Sequence, residues 1–136
     1  MTRSALLELA TRARAFAKCQ YSGFAVGAAL LTKEGQIFTG CNIENASYGL
    51  TICAERVALL KALSEGATTF TKIAVVTAAE TLTPPCGPCR QLLWEYTGNI
   101  QVIIGNIKKK NTVYLLSDLF PHPFDAGNLT GLANQK

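Results

Sequence analysis

A chain of 136 residues, 49% hydrophobic and 16% charged, has the length of one compact domain and enough apolar material to bury a core. Its mean hydropathy of +0.20 excludes a disordered chain, and no apolar run approaches the ~18 residues a spanning helix needs, so we expect no membrane partner. The net charge of +4 is scattered rather than gathered into a Lys/Arg stripe interleaved with aromatics, so we expect no nucleic-acid partner either.

In chain order, Leu6, Leu9, Ala10, Ala13, Phe16 and Ala17 recur at helical spacing and predict an amphipathic helix over Leu6–Ala17. Ala25–Leu31 is an apolar run of strand length. Lys33-Glu34-Gly35-Gln36 is turn chemistry, and Ile37–Cys41 returns as the second strand of a hairpin. A second helix is expected over Cys53–Ser64, with Gly66 as its stop. The β-branched segment Ile73–Thr77 predicts a strand buried on both faces. It ends at Thr81-Leu82-Thr83-Pro84-Pro85, which neither a helix nor a central strand accommodates.

A third helix begins near Cys86 or Pro88 and stops at Gly98. Strands Gln101–Ile104 and Thr112–Leu116 then flank Lys108-Lys109-Lys110-Asn111, a solvated turn. The order α-β-β-α-β-α-β-β predicts an α/β fold in which helices cover the faces of a mixed sheet. With no linker or repeat, residues 1–136 read as one domain.

The segment Met1-Thr2-Arg3-Ser4 lacks the apolar stretch and cleavage site of a secretory leader, so we expect a cytoplasmic protein. Its five cysteines then stay reduced, and the glycosylation-like triplets Asn45-Ala46-Ser47 and Asn128-Leu129-Thr130 carry no meaning. The cysteines are left as metal ligands, redox groups or core filler.

Two stretches concentrate the reactive residues: Thr51-Ile52-Cys53-Ala54-Glu55-Arg56 and Pro84-Pro85-Cys86-Gly87-Pro88-Cys89-Arg90-Gln91, each at a predicted helix start. Cys-x-x-Cys spacing brings two sulfurs to a single zinc ion, and Cys53 supplies a third. Three protein ligands leave the fourth tetrahedral position for water, whose pKa zinc lowers towards ~7. Helix starts suit thiolates because their free N–H groups and positive dipole end lower cysteine pKa. At such a start Cys53 and Glu55 can converge on one ion, with Glu55 unligated and placed to handle protons. Three thiolates with Zn²⁺ sum to −1, which calls for a nearby cation. Arg56, donating to a ligand sulfur, is the first candidate and Arg90 the second.

Two rivals stand beside this reading. Cys86-Gly87-Pro88-Cys89 matches the thioredoxin dithiol letter for letter, which suggests a thiol–disulfide oxidoreductase. Against it, Pro85 stands where thioredoxins carry Trp, and Cys53-Ala54-Glu55 is left without a role. A purely structural zinc site would need Cys19, Cys41 or His122 as fourth ligand, and no spacing selects among them. Cys19 and Cys41 read as small core residues, and His122 as a surface residue.

Beyond these residues the chain resembles the small homotetrameric cytidine deaminases, from about Tyr21 to Phe124. Cys53-Ala54-Glu55-Arg56 and Pro85-Cys86-Gly87-Pro88-Cys89-Arg90-Gln91 are similar to that family's two zinc motifs. Tyr21–Leu30 resembles its first strand with the approach to it, Gly40–Tyr48 its ribose loop, and Leu119-Phe120-Pro121 with Phe124 its C-terminal segment.

The resemblance implies a three-layer α/β/α sandwich with a five-stranded mixed sheet. It also implies hydrolytic deamination of cytidine and 2′-deoxycytidine to the uridines, with one Zn²⁺ per chain held by Cys53, Cys86 and Cys89. Glu55 would protonate ring N3 and then the departing amine. Asn42 and Glu44 would bind ribose hydroxyls, Phe24 would pack on the pyrimidine, and the Ala54 backbone would hold its carbonyl. A homotetramer with shared pockets is expected, Ala46, Tyr48 and Phe124 reaching neighbouring subunits.

Relatives that edit polynucleotides would need a basic groove, which the sequence lacks. A deaminase of a related cytosine nucleoside, such as an antibiotic, would keep the zinc motifs and alter the ribose loop. The intact Asn42-Ile43-Glu44-Asn45-Ala46-Ser47-Tyr48 counts against that alternative.

Overall fold

A computed structural model describes residues 1–130. Helix α1 (Arg3–Ala13), followed by a 3₁₀ turn at Arg14–Phe16, leads into strands β1 (Gly27–Thr32) and β2 (Ile37–Cys41). Helix α2 (Ala54–Ser64), strand β3 (Phe70–Thr77), helix α3 (Gly87–Thr97) and strands β4 (Gln101–Asn106) and β5 (Asn111–Leu115) follow. Two short helices, α4 (Leu116–Leu119) and α5 (Ala126–Thr130), close the described chain. The five strands form one mixed sheet in the order β2-β1-β3-β4-β5, with β3 and β4 parallel and every other pair antiparallel.

Side chains alternate across this sheet with the two-residue period of a strand. Ala28, Leu30, Ile73, Val75, Val102 and Ile104 face one core with α2 and α3, joined there by Leu59 and Leu93. Ala29, Leu31, Ala74, Val76 and Ile103 face a second, smaller core under Leu6 and Ala10 of α1. The central strands are therefore covered on both faces, and the molecule has the α/β/α layering expected.

Two glycines set how closely the helices lie on the sheet. A Cβ on Gly27 would sit 1.9 Å from the Ala10 carbonyl oxygen of α1. One on Gly40 would sit 2.4 Å from the Ala54 carbonyl oxygen and 2.6 Å from the Ala58 nitrogen. Neither position tolerates a side chain without backbone movement, and Gly40 places the first turn of α2 directly on β2.

The structure corrects several expected boundaries. The first helix starts at Arg3 rather than Leu6, because Thr2 caps it by accepting from the Ala5 N–H at 3.1 Å. It ends at Ala13, where the chain tightens into the 3₁₀ turn and the Arg14 side chain is drawn to the Ala25 carbonyl oxygen at 3.0 Å. The first strand begins at Gly27 rather than Ala25, because the Asn42 side chain occupies the backbone of Phe24 and Val26. The third strand begins at Phe70 rather than Ile73. The short helices α4 and α5 have no counterpart in the sequence reading, since four or five residues display too little of a helical period.

Candidate metal centre and cleft

The parallel pair β3–β4 is joined through α3, and the loop entering that helix lies beyond the C-terminal end of β3. Clefts open at such strand ends in α/β sheets. Cys53 is the N-cap residue of α2, Cys86 the N-cap residue of α3, and Cys89 lies in the first turn of α3. Neither N-cap cysteine uses its sulfur to cap its own helix, so the sulfurs turn towards one another instead.

Cys53 Sγ lies 3.8 Å from Cys86 Sγ, and Cys86 Sγ lies 3.4 Å from Cys89 Sγ. All three fall within 4.8 Å of one another. Tetrahedral zinc with Zn–S bonds of ~2.3 Å separates its sulfurs by ~3.8 Å, so the donor set fits one Zn²⁺ per chain. Among the described residues this is the one cluster of three or more His, Cys, Asp or Glu ligand atoms close enough to share an ion. Cys19, Cys41 and His122 lie outside it, so a structural site with a fourth protein ligand is not built here. Cys19 and Cys41 are half-buried rather than core residues, which corrects their expected role.

The Cys53 and Cys89 thiols share one proton. A hydrogen bond from the Cys89 thiol, opposed by burial and aided by Cys86 and Arg56, pulls the Cys53 thiol down to about 5. Cys89 is pushed up, because its proton is the one shared with Cys53 and because it is buried. A thiolate is thus prepared at the start of α2, and metal binding removes the remaining protons. Arg56 Nη2 donates to the Thr51 carbonyl oxygen at 2.9 Å and lies 3.9 Å from Cys53 Sγ. Burial opposes its charge, but the hydrogen bond to Cys53 and the other sulfurs outweigh it. Arg90 directs its donors elsewhere, to the carbonyl oxygens of Pro85 at 2.7 Å and Leu119 at 2.5 Å.

Glu55, in the first turn of α2, is only 5% exposed. Burial raises its pKa to about 7, against a backbone hydrogen bond that lowers it, and the Cys53 charge raises it further. A carboxyl group that gains and loses a proton near neutrality suits general acid–base work.

Glu55, Ala54, Cys53 and Cys86 line a cleft of about 260 Å³ together with Phe24, Asn42 and Glu44. The sequence reading missed the rest of the lining: Ser22, Val26, Thr51, Val75, Thr77, Thr83 and Pro84. Thr77 ends the β-branched strand, a position that strand-end geometry could have flagged, whereas Thr83-Pro84 reads only as a structural break. The buried Asn42 side chain accepts from the Val26 N–H at 2.9 Å and donates to the Phe24 carbonyl oxygen at 2.8 Å. Glu44 accepts from the Tyr21 and Ser22 N–H groups, both at 3.0 Å, and from the Ser22 hydroxyl. Those hydrogen bonds, led by the Ser22 hydroxyl, hold its carboxyl below the usual pKa.

Tyr48 lies outside the cleft, in an adjoining hollow of about 350 Å³ that shares Ser22, Glu44 and Thr51 with it. There its ring meets Tyr21 edge-on at 6.1 Å. Ala46 and Phe124 line neither space. Both are exposed, and the Phe124 carbonyl oxygen accepts from Gln91 Nε2 at 2.7 Å.

Residues 1–105 match the family model for the cytidine and deoxycytidylate deaminase zinc-binding region. The chain belongs to that family. It is 46% identical over 130 residues to a cytidine deaminase of Halalkalibacterium halodurans, covering 95% of this chain and 98% of the relative. It also superposes on the crystal structure of cytidine deaminase from Burkholderia pseudomallei with a TM-score of 0.89. That pair shares 46% identity and covers 91% of this chain and 100% of the other. For the Mycobacterium tuberculosis cytidine deaminase structure the TM-score is 0.78 at 40% identity, over 91% and 98% of the two chains. A blasticidin-S deaminase of Bacillus cereus is 34% identical over 87 residues, 58% of this chain and 62% of its own length. The mixed five-stranded sheet flanked by helices is the fold of these cytidine deaminases. The dithiol reading fails at the third sulfur, since Cys53 joins Cys86 and Cys89 in one donor set. No helix among the described residues is long and apolar enough to cross a membrane.

Proposed function

We propose that this protein is a single-domain, zinc-dependent hydrolase that deaminates cytidine and 2′-deoxycytidine to uridine and 2′-deoxyuridine. Ammonia is released, and the reaction serves pyrimidine salvage in the cytoplasm. The observation that carries this reading is a three-sulfur donor set whose Cys53 and Cys86 line one cleft with the buried carboxyl group of Glu55.

Cys53, Cys86 and Cys89 would hold the zinc, which when bound would lower the pKa of a water able to attack ring C4. Glu55 takes a proton from the attacking water and delivers it to N3, which makes C4 a better acceptor. It then moves the proton of the new C4 hydroxyl to the amino group, which departs as ammonia when the C4–N4 bond breaks. Its position in the first turn of α2 keeps it beside the sulfurs while burial keeps its proton exchangeable near neutrality. Arg56 offsets the net charge of the thiolate centre through Cys53. Phe24 packs on the pyrimidine, the Ala54 backbone holds its carbonyl, and Asn42 and Glu44 take the ribose hydroxyls.

The cleft lining carries no Lys or Arg among the described residues and includes two carboxyl groups, Glu44 and Glu55, which favours a free nucleoside over a 5′-phosphate. The chain works as a homotetramer in which Ala46, Tyr48 and Phe124 complete neighbouring pockets. The exposure of Tyr48 and Phe124, at 76% and 57%, supports a covered surface there.

Absorbance-monitored turnover of cytidine, 2′-deoxycytidine, cytidine 5′-monophosphate and blasticidin S tests the reading. Loss of the two nucleosides, with the monophosphate left intact, is expected. Protein with one zinc per chain that spares cytidine, or prefers blasticidin S, would overturn it.

A further inference from the structure

We propose that Ser22 is a positioning residue for sugar recognition, acting through Glu44. The inference rests on the reading of the cleft as a nucleoside site and adds to it a residue with no role so far. Glu44 Oε1 is occupied by two backbone donors, the N–H groups of Tyr21 and Ser22 at 3.0 Å each. Oε2 is the oxygen with capacity left for a ligand, and the hydrogen bond that orients it comes from the Ser22 hydroxyl. The same hydroxyl oxygen accepts from the Phe24 N–H at 3.0 Å. One oxygen atom thus ties the carboxylate that faces the sugar to the backbone of the residue that faces the base.

Ser22, Phe24 and Glu44 all line the cleft, so this link runs along its wall rather than behind it. Asn42 holds the same segment at Phe24 and Val26, through hydrogen bonds that do not involve Glu44. Loss of the Ser22 hydroxyl therefore leaves the Phe24 segment held by Asn42 and the carboxylate bound at Oε1, but lets Oε2 swing. The defect is one of binding, since neither Ser22 nor Glu44 hydrogen-bonds a ligand sulfur or Glu55. It should raise KM on the order of tenfold with kcat kept, as loss of a hydrogen bond to a charged group does.

The test compares wild type, Ser22→Ala, Ser22→Thr, Glu44→Gln and the Ser22→Ala/Glu44→Gln double variant on cytidine and on 2′,3′-dideoxycytidine, which lacks the 2′- and 3′-hydroxyls and keeps the 5′-hydroxyl. Zinc content is counted for each. Ser22→Ala is expected to raise KM for cytidine about tenfold, to leave KM for dideoxycytidine unchanged, and to add nothing in the Glu44→Gln background. Ser22→Thr, which keeps a hydroxyl, is expected to restore the wild-type KM. An equal cost on both substrates, full additivity with Glu44→Gln, or no effect of Ser22→Ala overturns the proposal. If wild type leaves cytidine untouched, the nucleoside reading itself has failed. If Glu44→Gln costs the same on both substrates, the sugar role of Glu44 has failed and the proposal falls with it.

Discussion

At the sulfur end of the cleft the reactive groups sit on the starts of two helices seated on the sheet. Elsewhere on the cleft wall they sit on two loops, 21–26 and 42–44, held together by side-chain hydrogen bonds. Cys53 and Glu55 are placed by the contact of α2 with β2 over Gly40, a matter of backbone against backbone. Phe24 and Glu44 are placed by polar bonds from Asn42 and Ser22. Chemistry that needs sub-ångström placement is built on rigid elements, whereas recognition of a flexible sugar is built on a hydrogen-bonded clasp. Damage in the first region should appear in kcat and zinc content, and damage in the second in KM.

The largest effect should come from Glu55→Gln. Turnover is expected to fall on the order of 10²–10⁴-fold while zinc stays at one per chain, because the carboxyl group handles protons and ligates nothing. Metal analysis beside steady-state kinetics checks this, and concurrent zinc loss would make Glu55 a structural partner of the site.

Gly40→Ala should follow. Its Cβ, 2.4 Å from the Ala54 carbonyl oxygen, must move the start of α2, at a stability cost of about 1–3 kcal/mol by denaturant unfolding. Zinc content should fall with kcat.

Arg56→Gln is expected to weaken zinc retention against a chelator about tenfold or more, as loss of a partner behind a metal ligand does. Wild-type retention would remove Arg56 from that role.

The smallest effect concerns pH at the loops. Hydrogen bonds lower the Glu44 pKa, so the folded protein favours its ionised form. That form should persist as pH falls through the ordinary carboxylate value and be lost only below it. KM for cytidine should therefore stay flat from pH 8 to about 5. A rise beginning near pH 6 would show that another group controls sugar binding.

The two regions differed just as much in what their residues disclosed in advance. Cys-x-x-Cys and Cys-Ala-Glu announce their chemistry because few residue types hold zinc or move protons, and each motif begins a helix visible from its period. The strands of the sheet were legible for the same reason, as apolar runs between turns. The clasp was not. Ser22 is an ordinary loop serine until the fold brings Glu44 beside it, 22 positions along the chain. Val75 and Thr77 are strand residues whose side chains reach the cleft only because the sheet ends there. The helices α4 and α5 were too short to show a period, and the start of α1 depended on a single capping threonine.

The most direct test of the metal centre with Glu55 as the seat of the reaction is a titration of bound zinc against turnover. Zinc would be withdrawn stepwise by chelator from one preparation, with cytidine loss read at each step. Turnover should fall in proportion to zinc, reach zero with the last ion, and return when zinc is restored to one per chain. Full turnover by protein stripped of zinc would contradict the account.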